Sequence, residues 1–185
     1  MRSAFLVAAA LAAAFPLHSR ADEFTDTVEG ALEAYRSGDT EAAREDLDYA
    51  VKLLASARAS GLAALLPAPA EGWTREAGED AAAGLTIFGG GVTASATYRR
   101  GEDDFTLTLI AGSPMVSSVA AMLGSMSALP GTDTRRIKRQ TFALTDGQIQ
   151  GVVDGRVLVS AEGSAPAEDM FAAIERIDFD ALKDF

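Results

Sequence analysis

Cysteine is absent from the 185 residues, and histidine occurs once, at His18. Without thiols no disulfide can form, so stability has to come from packing. Beyond His18 the chain can build no Ser-His-Asp or Cys-His pair, no histidine-based metal centre and no structural zinc. Basic residues are also scarce: 16 Lys and Arg stand against 27 Asp and Glu, for a net charge of −11. That balance excludes general nucleic-acid binding, which needs cations to displace counterions from phosphates. It implies solubility and weak self-repulsion. Long apolar runs are rare too. The run from Ala4 to Phe15 is shorter than the ~20 residues needed to span a bilayer, and no later segment is long or apolar enough.

What is present begins with that same run. Arg2 precedes it, Pro16 breaks it, and Ser19-Arg20-Ala21 places small residues at the two positions a signal peptidase reads. The pattern predicts a secretory signal peptide over 1–21, cleavage after Ala21 and a periplasmic location. With no cysteine to modify, a lipoprotein anchor is excluded. Cleavage leaves 164 residues with 14 basic and 27 acidic side chains, a net charge of −13. That length suits one domain with a real core and a small appendage.

From Asp22 to about Ser60 the pattern is helical. Phe24, Val28, Ala31 and Tyr35 recur at four, three and four, and Ala43, Leu47, Ala50, Leu54 and Ala57 repeat the spacing. Between them Gly38 ends the first helix, and Asp39 or Thr40 can cap the second. Two facing stripes across a short polar turn predict an αα-hairpin over 22–66, its face spent on packing against its own domain. Ala31, Tyr35, Gly38-Asp39, Ala43, Leu47 and Ala50 resemble a single tetratricopeptide repeat. No second copy follows, and arrays normally need about three units. The resemblance implies a shape, not a peptide-gripping groove.

Pro67-Ala68-Pro69-Ala70 marks a semi-stiff linker over 67–72, and a second domain is expected over 73–185. Trp73 opens a short strand to about Ala77, Gly78 to Gly84 reads as a small acidic loop, and Leu85-Thr86-Ile87-Phe88 as a lead-in strand. The centre is a hairpin. Val92, Ala94, Ala96 and Tyr98 alternate with polar residues, and Phe105, Leu107, Leu109 and Ala111 do the same. Ser113-Pro114 starts a helix whose inner stripe is read as Met115, Val119, Met122, Met126 and Leu129, and Pro130-Gly131 stops it. Asp146-Gly147 and Asp154-Gly155 are dipeptides of tight two-residue turns, so Thr141–Thr145, Gln148–Val153 and Arg156–Glu162 should form a meander. Ser164 is expected to cap a last helix with Met170, Ala173, Ile174 and Ile177 inward, and Phe179, Leu182 and Phe185 to pin the tail.

The expected fold is therefore α+β: an antiparallel sheet of five to seven strands with packed helices, preceded by the αα-hairpin. The strands-then-helix order is similar to the Mog1/PsbP-like sandwich. The Leu-Pro-rich lead into Gly72-Trp73, the triple glycine and the Val-Leu-Val strand resemble a group of proteobacterial periplasmic proteins of unknown function. Neither likeness implies an activity.

Candidate sites are few. Gly89-Gly90-Gly91 is followed by a strand and no lysine, so a bend or close backbone approach is expected there, not a phosphate cradle. Met115, Met122 and Met126 could offer thioethers to Cu(I), but at helical spacing and without His or Cys they read as core. Arg135, Arg136, Lys138 and Arg139 form the one basic cluster. It could face anionic headgroups or an acidic partner, against the simpler reading of a charge-protected strand edge. Glu79-Asp80 and Glu102-Asp103-Asp104 lack calcium-loop spacing and read as solvated turns. No catalytic residue, metal site or cofactor is expected. The leading expectation is an exported, non-enzymatic accessory protein that binds an envelope partner. The alternative is a carrier of a small apolar or lipidic ligand held between sheet and helix. An enzyme working by carboxylates alone ranks last, because no pair is singled out by spacing.

Overall fold

The computed structural model describes residues 20–78, 91–126 and 133–185. Residues 1–19 of the expected signal peptide 1–21, the Glu79-Asp80 tip, the Leu85–Phe88 strand, Gly89-Gly90, Leu129 and the Pro130-Gly131 stop lie outside them, while Arg20 and Ala21 open the first helix. The element order is α1 (Arg20–Ser37), α2 (Thr40–Ala64), β1 (Thr74–Ala77), β2 (Val92–Arg100), β3 (Asp103–Ala111), α3 (Pro114–Met126), β4 (Asp133–Ile137), β5 (Gln140–Thr145), β6 (Gln148–Val153), β7 (Val157–Gly163), α4 (Ala167–Glu175) and α5 (Phe179–Leu182). The fold is α+β. Among the described residues seven strands pair antiparallel throughout in the order β1-β2-β3-β7-β6-β5-β4. The chain divides into two compact units, Met1–Leu47 and Asp48–Phe185, so the division falls within α2.

The first unit holds α1 and the start of α2. Gly38 takes φ +88°, a left-handed turn that costs glycine nothing, and its amide and that of Asp39 satisfy the carbonyls of Tyr35 and Ala34. Asp39 caps α2, its carboxylate accepting from the Ala42 amide at 3.0 Å.

In the second unit the central hairpin is as the alternation requires. Val92, Ala94, Ala96 and Tyr98 pair with Ala111, Leu109, Leu107 and Phe105, all buried on one face. That face continues through Val157, Val159 and Ala161, then Ile149 and Val153, to Phe142 and Ile137. Leu62 and Leu66, from the end of α2 and just beyond it, join the same core with Met170, Phe171 and Ile174 of α4 and Phe179 and Leu182 of α5. Tyr98 stacks on Phe105 at 4.9 Å, Trp73 meets Phe105 edge-on at 5.1 Å, and the Tyr98 hydroxyl donates to the Pro67 carbonyl at 2.7 Å. Arg75 of β1 donates to the carbonyls of Ala63 and Leu66, satisfying the C-terminal end of α2. The expected linker residues are thus tied to the sheet, which they reach within this unit. A Cβ on Gly91 would lie 2.8 Å from the Ala111 carbonyl oxygen, so this glycine marks a close backbone approach.

Arg135 and Arg136 lie on β4 at the edge of the sheet, as the reading of a charge-protected strand edge expects, while Lys138 and Arg139 fall beyond its end. Several sequence expectations are corrected. The Asp154 turn has three residues, since Val153 pairs with Val157 and the Arg156 amide closes it onto Val153. Ser164 does not cap α4, whose N-cap is Pro166 with no side-chain bond. Its hydroxyl instead accepts from the Asp104 amide at 3.0 Å and donates to the Asp104 carboxylate at 2.7 Å, fastening the start of β3. The inner stripe of α3 is also rotated. Val116 and Leu123 are buried, while Met122 is 47% exposed and Met115 half-buried. The helix packs on β6 and β7, on the side of the sheet that carries Ala143, Gln148 and Gln150.

Candidate functional site

Three places on the molecule could carry a function. The first is a cleft of about 530 Å³ between the last described turn of α3 and β5–β7. Met122 and Leu123 form one wall, with Ala143 opposite. The floor is polar, because alternate residues of an antiparallel sheet point to the face away from the core. Gln150 donates to the Gln148 amide oxygen at 2.9 Å, and Gln148 donates to the Glu162 carboxylate at 2.9 Å. This relay fixes both amides and ends on an anion. Thr145 adds a hydroxyl at the rim, beside the carboxylates of Asp146 and Glu162. The arrangement can bind a hydrogen-bonding group beside an apolar one.

The second is the basic cluster, which the fold splits. Arg135 and Arg136 are neighbours on a strand and so face opposite sides of the sheet. Arg135 lies over the Phe171 ring at 4.2 Å and bonds Glu168 through both guanidinium nitrogens, at 2.9 and 2.5 Å. That pairing holds the Glu168 carboxyl below the usual carboxylate range and raises Arg135. Lys138 donates to the Ile177 carbonyl at 2.7 Å and sits 5.2 Å from the Phe179 ring. These two residues therefore clamp α4 and α5 onto the sheet. Arg136 and Arg139 are exposed. Lys138 and Arg139 form the β4–β5 turn with φ of +45° and +74°, a backbone that usually carries Asn-Gly. Beside that turn a second cleft of about 560 Å³ interleaves Lys138, Arg139 and Lys183 with Asp154, Asp178 and Asp180. The Lys183 hydrogen bond at 2.6 Å holds Asp180 below the usual carboxylate range. With signs so mixed, the cluster presents no single cationic surface. β4 is an edge strand, and its arginines sit where charge blunts pairing with another chain.

The third site was missed in the sequence. Within α1 the buried residue is Ala31, whereas Val28, Leu32 and Tyr35 are 37, 46 and 67% exposed. The expected inward stripe of Phe24, Val28, Ala31 and Tyr35 is therefore split, with Phe24 half-buried. On α2 the small Ala43 and Ala50 are buried while Leu47 and Leu54 are about half exposed. Within the first unit the reason is closeness: a Cβ on Gly30 would already be 3.3 Å from the Asp46 carboxylate, so small residues such as Ala31 and Ala43 fit there. The available signal was that Gly30, Ala31 and Ala34 form a small-residue row beside the larger one.

Among the described residues no group of three or more acidic, His or Cys side chains is placed to hold a metal ion, and no helix is long and apolar enough to cross a membrane. The fold and these sites define an α+β protein with a leading helical pair. Compared with known protein-family models, curated proteins and solved structures, the chain matches none.

Proposed function

We propose that the chain is an exported, non-enzymatic accessory protein of the cell envelope that works by binding another protein. The observation that carries this reading is the exposed row Val28, Leu32 and Tyr35 on α1. Large apolar side chains aligned on one helix face at solvent are costly to a monomer and mark interaction surfaces. The lack of His and Cys after Ala21 supports a binding role over a catalytic one. Asp104 and Glu168 support it as well: both carboxyls are held low by hydrogen-bonding partners, which suits structural anchoring and not proton donation. The test is a photo-crosslinking amino acid at Tyr35 in the producing cells. A discrete adduct in the periplasmic fraction is expected, on a chain whose N-terminal residue is Asp22. No adduct in any growth condition, or a chain retained in the cytoplasm with residues 1–21 intact, overturns the reading.

A second reading is a carrier for a small ligand, favoured by the cleft walled by Met122 and Leu123. Its amide-and-carboxylate floor suits an apolar ligand that bears a polar head. Native mass spectrometry of freshly purified protein tests it: a co-purified mass supports the carrier, and bare protein argues against it.

A further inference from the structure

The identity of the partner surface can be taken further, resting on the binding reading above. Three rows run along α1. Ala31 is buried, with Thr27, Gly30 and Ala34 half-buried beside it. Val28, Leu32 and Tyr35 form the exposed apolar row. Asp26, Glu29 and Glu33, at spacings of three and four, form an exposed acidic row next to it. The whole hairpin shares that sign. Between Arg20 and Leu47 nine carboxylates stand against three guanidinium groups, and Arg44 is already paired with Glu41 at 2.7 Å.

Charge selects what can cover such a face. A second copy would press two carboxylate rows together, and an anionic lipid surface would be repelled. The chain's own basic turn offers no apolar anchor, since the exposed residues around it are Asp133, Thr134, Arg136, Lys138, Arg139 and Thr141. An occupant has to bring apolar side chains at helical spacing and a flank of Lys or Arg. We propose that the Val28–Leu32–Tyr35 face of α1 docks a cationic amphipathic helix of a partner protein, its apolar row on Leu32 and Tyr35 and its basic flank on Asp26, Glu29 and Glu33.

The test uses the purified full chain and two labelled peptides of about 18 residues, five helical turns. One carries a leucine row flanked by lysine, the other the same row flanked by glutamate. The Leu-Lys peptide should bind, and weaken as salt rises from about 0.1 M to about 1 M and the Debye length shrinks from about 10 to about 3 Å. The double variant Leu32→Ser, Tyr35→Ser keeps the net charge and should lose at least about tenfold in affinity. Equal affinity in that variant, with an unchanged circular dichroism spectrum, overturns the proposal, because attraction to an acidic protein alone would then suffice. Should that variant lose helix, Glu29→Gln with Glu33→Gln gives the independent arm, and unchanged affinity there also overturns it. Equal binding of the Leu-Glu peptide, a dimer that the serine variant dissolves, or binding to phosphatidylglycerol vesicles would each name a different occupant and sink the assignment. A Tyr35 crosslink to an acidic protein, with no affinity for the Leu-Lys peptide, would overturn it while leaving the binding reading intact.

Discussion

At the scale of single residues, Tyr98 and Gly151 are two places where the sheet core is tightly constrained. Tyr98 is 2% exposed, and burial pushes its hydroxyl up to about 12. A phenol bound more tightly to its proton in the folded state lends stability that is complete below its ordinary value near 10. That stability is lost as pH rises from about 10 towards 12. The protein should therefore lose stability with alkali across that window, and Tyr98→Phe should flatten the fall, as denaturant midpoints measured at pH 8 and pH 11 will show. At neutral pH the same variant forfeits the bond to the Pro67 carbonyl, about 1 kcal/mol. Gly151 pairs with Phe142, whose ring covers the space a Cβ would occupy. Gly151→Ala should cost about 1–3 kcal/mol by forcing that ring to move, read as a lower thermal midpoint. Neither fact was legible in the sequence. The Phe142–Gly151 register depends on a turn length, and Tyr98 differed from other strand aromatics only in what its hydroxyl reaches.

At the scale of elements, the strands were legible and the helix faces were not. Period-two alternation in β2 and β3 admits one assignment of faces, because shifting by one residue exchanges core and solvent entirely. A helix rotates through smaller steps, and neighbouring apolar rows compete for the inside. On α3 the methionine row lost to the row holding Val116 and Leu123. Leu123→Ala should therefore destabilise by about 2–3 kcal/mol, while Met122→Ala should stay within about 0.5 kcal/mol, a contrast that paired chemical denaturation measures. On α1 the same ambiguity hid the candidate site, since Val28 and Tyr35 share a stripe with Ala31 that only helix spacing resolves. The cleft beside α3 was legible as far as its helix wall. Its floor of Gln148, Gln150 and Glu162 was not, because it forms only when two strands are in register. The basic cluster was visible as composition, but its division between two faces follows from β4 being a strand.

At the scale of the whole molecule, acidity guards what the helical pair leaves open. The chain's isoelectric point is about 4.5. As pH falls towards it net repulsion vanishes, and the apolar row of α1 loses its protection. Light scattering should then show reversible self-association near pH 4.5 that the Leu32→Ser, Tyr35→Ser variant suppresses. The placement of Trp73 has an optical consequence. The chain has one indole, it is buried in the sheet core against Phe105, and the Arg100 guanidinium lies 4.5 Å above it. Tryptophan emission accordingly witnesses the melting of the second unit alone. Ellipticity at 222 nm adds α1 and the start of α2, which belong to the first unit, to the helices of the second, so a gap between the two transition curves reads whether the two units melt as one.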